Sequence, residues 1–135
     1  MPVDLEIVSP EKLLLSKAVD MVVIPAAEGE MGILVNHAPM IVLLRGGTIR
    51  LYQGNTVTEQ LYVSGGFAEI TPLRVTVLAT EATAVSELSR AVGEQRLSAA
   101  EADYAAASKT DVPALDAAME RMQAARAMIE AAPAG

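Results

Sequence analysis

The chain has 135 residues, room for one ordinary domain or for one small domain with an appendage. Its formal charge of -7, with Lys and Arg spread thinly along it, argues against nucleic acid, because phosphate binding needs clustered cations. There is no cysteine, which excludes disulfides, thiolate nucleophiles and cysteine-based zinc sites.

Val3-Asp4-Leu5-Glu6-Ile7-Val8 opens the chain with the period-two alternation of a half-buried strand. Further strands are predicted over residues 13–18, 19–24, 33–35, 41–44, 48–52, 57–63, 67–70 and 75–79. Ser9-Pro10, Arg45-Gly46-Gly47, Gln53-Gly54-Asn55, Ser64-Gly65-Gly66 and Thr71-Pro72 supply the turns between them. Eight to ten short strands predict an antiparallel sandwich or flattened barrel over residues 1–84. Just over half the residues are apolar, but only Tyr52, Tyr62, Phe67 and Tyr104 are aromatic, so its core must be aliphatic.

Residues 24–39 stand out within this half. A strand-like run leads into a polar loop punctuated by Gly29 and Gly32, carrying Glu28, Glu30 and the only histidine, His37. No spacing there suits a catalytic triad, a metal cage or a phosphate cradle. It reads as a loop built to touch a partner.

After residue 84 the composition changes: alanine supplies 16 of the last 51 residues, which makes this helix-forming sequence. A first helix is predicted from about Glu87 to Ser108, with Ser86 as N-cap. A turn at Lys109-Thr110-Asp111 follows, then a second helix from Pro113 to about Ala131, stopped by Pro133. Leu115, Met119, Met122 and Ile129 share one face of the second helix, and Leu88 and Val92 are offered by the first. An antiparallel hairpin packed through these residues is expected. Alanine contacts bury little area, so it should be the least stable part of the molecule.

Candidate chemistry is sparse. With one histidine most acid–base schemes fail, and His37, between Asn36 and Pro39, reads as a turn or interface residue. Glu28 and Glu30 read as solvated acids, and Ser64-Gly65-Gly66 as a tight turn or bulge. No nucleophile, base or metal set converges, so an enzyme is not expected. Apolar runs fall far short of a membrane span and no basic-then-apolar signal segment opens the chain. A soluble intracellular protein is expected, reaching a membrane only through another protein.

Five segments in order carry a family resemblance. They are Val8-Ser9-Pro10-Glu11, residues 24–39, Leu44-Arg45-Gly46-Gly47-Thr48-Ile49-Arg50, Val63-Ser64-Gly65-Gly66-Phe67-Ala68-Glu69-Ile70 and Val75-Thr76-Val77-Leu78-Ala79. With them the chain resembles the epsilon subunit of bacterial F-type ATP synthases, equivalent to the mitochondrial delta subunit. The resemblance implies a ten-stranded sandwich, residues 1–84, docking on the gamma subunit and the c-ring, and a regulatory helical hairpin, residues 85–135. It implies a non-catalytic rotor subunit, peripheral on the cytoplasmic face of the bacterial inner membrane. Glu28, Gly29, Glu30 and Gly32, with His37, match the ring- and gamma-facing loop.

In relatives the hairpin extends toward the catalytic alpha and beta subunits and blocks ATP hydrolysis. Some relatives bind ATP there through an aliphatic residue, Asp, two variable residues, Arg and Ala. Here those positions are Ser86, Glu87, Leu88, Ser89, Arg90 and Ala91, so the first two differ. No cofactor or metal is expected; Glu87, Arg90 and Arg126 are the residues that would meet ATP. The second helix also carries few of the basic residues that inhibitory relatives use. The competing reading is a stand-alone small-molecule-binding sandwich with a helical dimerisation tail, self-associating through Met119 and Met122.

Overall fold

The computed structural model describes residues 2–133. Ten strands come first: β1 Val3–Val8, β2 Leu13–Val19, β3 Met21–Ala26, β4 Gly29–Ile33, β5 Met40–Leu44, β6 Gly47–Gln53, β7 Thr56–Val63, β8 Gly66–Ile70, β9 Arg74–Ala79 and β10 Ala82–Ala84. A single 3-10 turn, Val85–Glu87, leads to helices α1 Arg90–Ala106 and α2 Val112–Ala131. Hydrogen bonding runs in the order β10-β7-β6-β3-β5-β8-β9-β1-β2, with β4 paired to β3 alone. All ladders are antiparallel except β1 with β9, which is parallel. The path folds back on itself, so Lys17 on β2 reaches Glu59 on β7 at 2.6 Å. The result is a near-barrel sandwich followed by two helices.

Period-two alternation produces the core. On β1, Val3, Leu5 and Ile7 point inward and are fully buried, while Asp4 is exposed. Val22, Ile24, Ile33, Ile49, Leu51, Val63, Ile70, Val75 and Val77 meet them from other strands. This cluster is wholly aliphatic, as the composition requires. The one buried aromatic, Tyr62, lies outside it, under α2.

Three boundaries differ from the sequence reading. The strand expected over 33–35 occupies Gly29–Ile33 instead, so the polar stretch is half of a β-hairpin. Main-chain pairing with β3 outweighs the poor strand propensity of glycine and glutamate there. Strand β10 has no apolar alternation to announce it and exists because Ala82, Thr83 and Ala84 pair with Val63, Tyr62 and Leu61. The first helix starts at Arg90, not Glu87: the Oγ of Ser89, not of Ser86, accepts from the Val92 N–H at 3.3 Å. Both serines meet the local rule for an N-cap, but Leu88 is extended and its N–H closes the 3-10 turn on Val85.

The hairpin packs through smaller residues than expected. Gly93 and Ala100 are the buried residues of α1, and Ala118, Ala124, Ala125 and Met128 those of α2. A Cβ at Gly93 would come within 2.8 Å of Ile129 Cγ1, so α2 packs directly on this glycine. Leu88, Leu115, Met122 and Ile129 are half-buried. Val92 and Met119 are 39% and 52% exposed, which corrects their assignment to the packed face. Helical periodicity gives a stripe but not its phase. The buried side of α1 runs through Gly93 and Ala100, which leaves Val92 outward.

Gly66 begins β8 with φ at +135°, and a Cβ there would fall on the Leu78 carbonyl. Gly66→Ala should therefore cost about 2–3 kcal/mol, read as a lower urea midpoint. Gly54→Asn, at φ +62° in open space, should cost far less.

Candidate functional site

The acidic residues singled out in the sequence sit at the tip of the β3–β4 hairpin. Glu28 occupies the turn, and Gly29, at φ +141° with nothing packed over it, begins β4. Glu30 pairs with Arg50 on β6 at 2.8 Å. Hydrogen bonding to that guanidinium, with its charge adding a smaller share, holds the Glu30 carboxyl below the usual range. Glu28 and Glu30 are both exposed and face solvent from the same tip.

His37 is not beside them. It follows Asn36, at φ 68°, whose N–H donates to the Pro72 carbonyl at 2.6 Å. That joins His37 to the opposite end of β4, beyond Ile33. Five strand residues separate the two ends, a span of about 13 Å. The five candidate contact residues thus form two sites, with Gly32 between them against Met21.

The hairpin α1–α2 is docked on the sandwich by polar contacts at named positions. Gln123 on α2 clips both backbone groups of Gly46: its Oε1 accepts from the Gly46 N–H at 2.9 Å, and its Nε2 donates to the Gly46 carbonyl at 2.6 Å. A Cβ at Gly46 would lie 2.5 Å from Ala124 Cα, so helix backbone fills the space a side chain would need. The Tyr62 hydroxyl, 2.8 Å away, donates to the Ala124 carbonyl. Burial first, and then the Glu81 carboxylate, push its pKa up to about 12. From α1, Arg96 grips Glu81 with two hydrogen bonds of 2.7 and 2.9 Å.

Arg126 lines a cleft of about 560 Å³ between α2 and the sandwich, with Arg45, Arg50, Glu30 and Glu130. Glu87 and Arg90 line no part of it; Arg90 is exposed and pairs with Glu94 at 3.4 Å. The three residues that would meet ATP are therefore not gathered at this cleft.

A second surface escaped the sequence reading. Registers place Leu43 opposite Phe67, Phe67 opposite Leu78, Leu78 opposite Val8, and Val8 opposite Leu13. Directly opposed residues share a face, so these five side chains make one apolar row across β5, β8, β9, β1 and β2. It lies on the outer face, with Leu43 69% and Phe67 42% exposed. The available signal was Ile41-Val42-Leu43-Leu44, apolar on both faces of a strand whose outer side has no cover.

A family model for the beta-sandwich domain of the ATP synthase delta/epsilon chain matches residues 2–85, the whole of the strand-bearing part. The chain belongs to that family. Its relatives within the family include bacterial epsilon chains. Over 128 residues it is 70% identical to the ATP synthase epsilon chain of Granulibacter bethesdensis, covering 95% of each chain. Over 132 residues it is 52% identical to that of Gluconacetobacter diazotrophicus, covering 98% of this chain and 94% of that one. In fold it is similar to a chain of the Euglena gracilis mitochondrial ATP synthase OSCP/F1/c-ring assembly. The TM-score is 0.76 at 22% identity, over 96% of this chain and 81% of that one. As an epsilon-family chain it contains, among the described residues, no helix long and apolar enough to cross a membrane.

The raised Tyr62 pKa makes docking sensitive to alkali. Its neutral hydroxyl stabilises the folded state fully below the unfolded value of about 10. That contribution is lost as pH rises through about 12. Tyr62→Phe should cost about 1 kcal/mol near neutrality. The stability difference between wild type and variant, from urea midpoints at stepped pH, should shrink across that window.

Proposed function

We propose that the chain is a non-catalytic rotor subunit of the proton-translocating F-type ATP synthase, coupling c-ring rotation to the catalytic head. The observation that carries this reading is 70% identity over nearly the whole length to an ATP synthase epsilon chain. The solved Tetrahymena thermophila neighbour, described as the central stalk/c-ring of a mitochondrial ATP synthase, shares the fold with a TM-score of 0.66 at 13% identity. Held in the complex through other subunits, the chain is peripheral on the cytoplasmic face of the bacterial inner membrane.

The two exposed surfaces suit partners of different chemistry. The apolar row of Leu43, Phe67, Leu78, Val8 and Leu13 is the docking face for the gamma subunit, since the centre of a lasting interface is apolar and dry. The acidic tip, Glu28 and Glu30, meets the polar loops of the c-ring, where charge sets register and direction more than affinity. Co-purification with gamma tests the assignment. Leu43→Asp with Phe67→Asp should abolish it while leaving the fold intact, because both side chains are exposed in the free chain. Retained binding would remove gamma from this face.

The α1–α2 hairpin is the regulatory element, docked in this structure and extended toward the alpha and beta subunits when it inhibits hydrolysis. The two arrangements need differ by only a few kcal/mol. Deleting residues 85–135 should leave assembly with gamma intact and raise ATP hydrolysis by the complex. Unchanged hydrolysis would refute inhibition by this hairpin.

A further inference from the structure

The turn between β5 and β6 holds two different elements by alternate residues. Arg45 and Gly47 face the β3–β4 hairpin. The Arg45 N–H donates to the Pro25 carbonyl at 2.9 Å, and a Cβ at Gly47 would stand 2.6 Å from Pro25 Cβ. Pro25 is in turn opposite Glu30 in the β3–β4 ladder, and Glu30 ties β4 to β6 through Arg50 at 2.8 Å. Between these two residues Gly46 faces the other way, clipped by Gln123 and filled by Ala124.

We propose that the segment Arg45-Gly46-Gly47, the turn and the first residue of β6, couples the acidic β3–β4 tip to docking of the C-terminal hairpin, so that a partner engaging the tip biases whether α2 stays seated. The backbone cannot shift at Arg45 and Gly47, the first residue of β6, without moving Gly46 between them. The clip then loses its geometry, because both of its hydrogen bonds end on that one residue and Ala124 already occupies the space beside it. Release leaves nothing stranded: the Gly46 N–H and carbonyl, the Tyr62 hydroxyl, Arg96 and Glu81 can all exchange protein partners for water. That makes α2 a seat that a small displacement can empty. The same linkage runs in reverse, since a docked α2 holds Gly46 and through it the Pro25 end of β3. In the complex the acidic tip faces the c-ring only if the proposed function holds; the coupling itself is a property of the single chain.

Amide hydrogen exchange on the isolated full-length chain tests it, in Glu30→Ala, Gln123→Ala and the double variant. Glu30→Ala, which unties β4 from β6, should speed exchange at the Gly46 N–H at least about fivefold, the lower range of allosteric coupling. Gln123→Ala, a change on the helix alone, should in turn speed exchange of the β4 amides. The double variant should show less than the product of the two single effects. Amides of Val75 and Val77 on β9 should stay at wild-type rates in every variant. Unchanged β4 exchange in Gln123→Ala, or multiplicative effects in the double variant, would overturn the coupling. If Glu30→Ala loosens the whole sandwich, seen at Val75 and Val77, the reciprocal Gln123→Ala arm alone decides. No gamma or ring is present in this assay, so its failure leaves the rotor-subunit assignment standing.

Discussion

Strand β3 is the constraint on which the other elements depend. It pairs with β6 at Met21, Val22 and Val23, with β4 along its length, and with β5 at Ala26. Five of its six residues are buried, so it can neither slide nor twist alone. The acidic tip grows from its end, and the turn that seats α2 hangs from Pro25. Proline has no N–H to give to a ladder, and here its residue sits where the strand changes partners from β6 to β5. Displacing this strand would move the tip, the seat and one side of the core together.

The molecule presents two kinds of interface, and their chemistry matches different lifetimes. Between sandwich and hairpin, the polar contacts are an amide clip on Gly46, a tyrosine hydroxyl on Ala124 and a guanidinium–carboxylate pair. Each can be replaced by water at small net cost, because a hydrogen bond in solution is an exchange of partners. Across β5, β8, β9, β1 and β2 the row of exposed apolar side chains has no such alternative. Water covers it unfavourably, and only a partner removes the cost. A polar, water-replaceable contact and an uncovered apolar row therefore coexist on one small sandwich.

Much of the architecture was legible because strand and helix periods are local properties. Val3, Leu5 and Ile7 alternate with polar residues and all three are in the core. Asp111 and Pro113 mark the start of α2, and the Asp111 side chain caps it by accepting from the Ala114 N–H. Less legible were features set by pairing across the fold. Nothing within Ala82-Thr83-Ala84 requires a strand, and Ser86, the cap expected from the sequence, gives way to Ser89 three residues on. Met119 belongs to a regular helical stripe yet is half exposed, while the buried residues of α2 are Ala118, Ala124, Ala125 and Met128.

By itself the sequence determined an aliphatic sandwich followed by an alanine-rich helical pair, and its ordered motifs pointed to its family. Those properties follow from composition, period and turn chemistry, which each segment carries alone. Only the tertiary structure decided that Glu30 lies near the start of β4 and His37 beyond its far end. It also decided that Leu43, Phe67, Leu78, Val8 and Leu13 form one row, and that Gly46 receives Gln123. Each of these depends on register between segments far apart in the chain. A register is chosen by the whole core at once, so no single segment contains it.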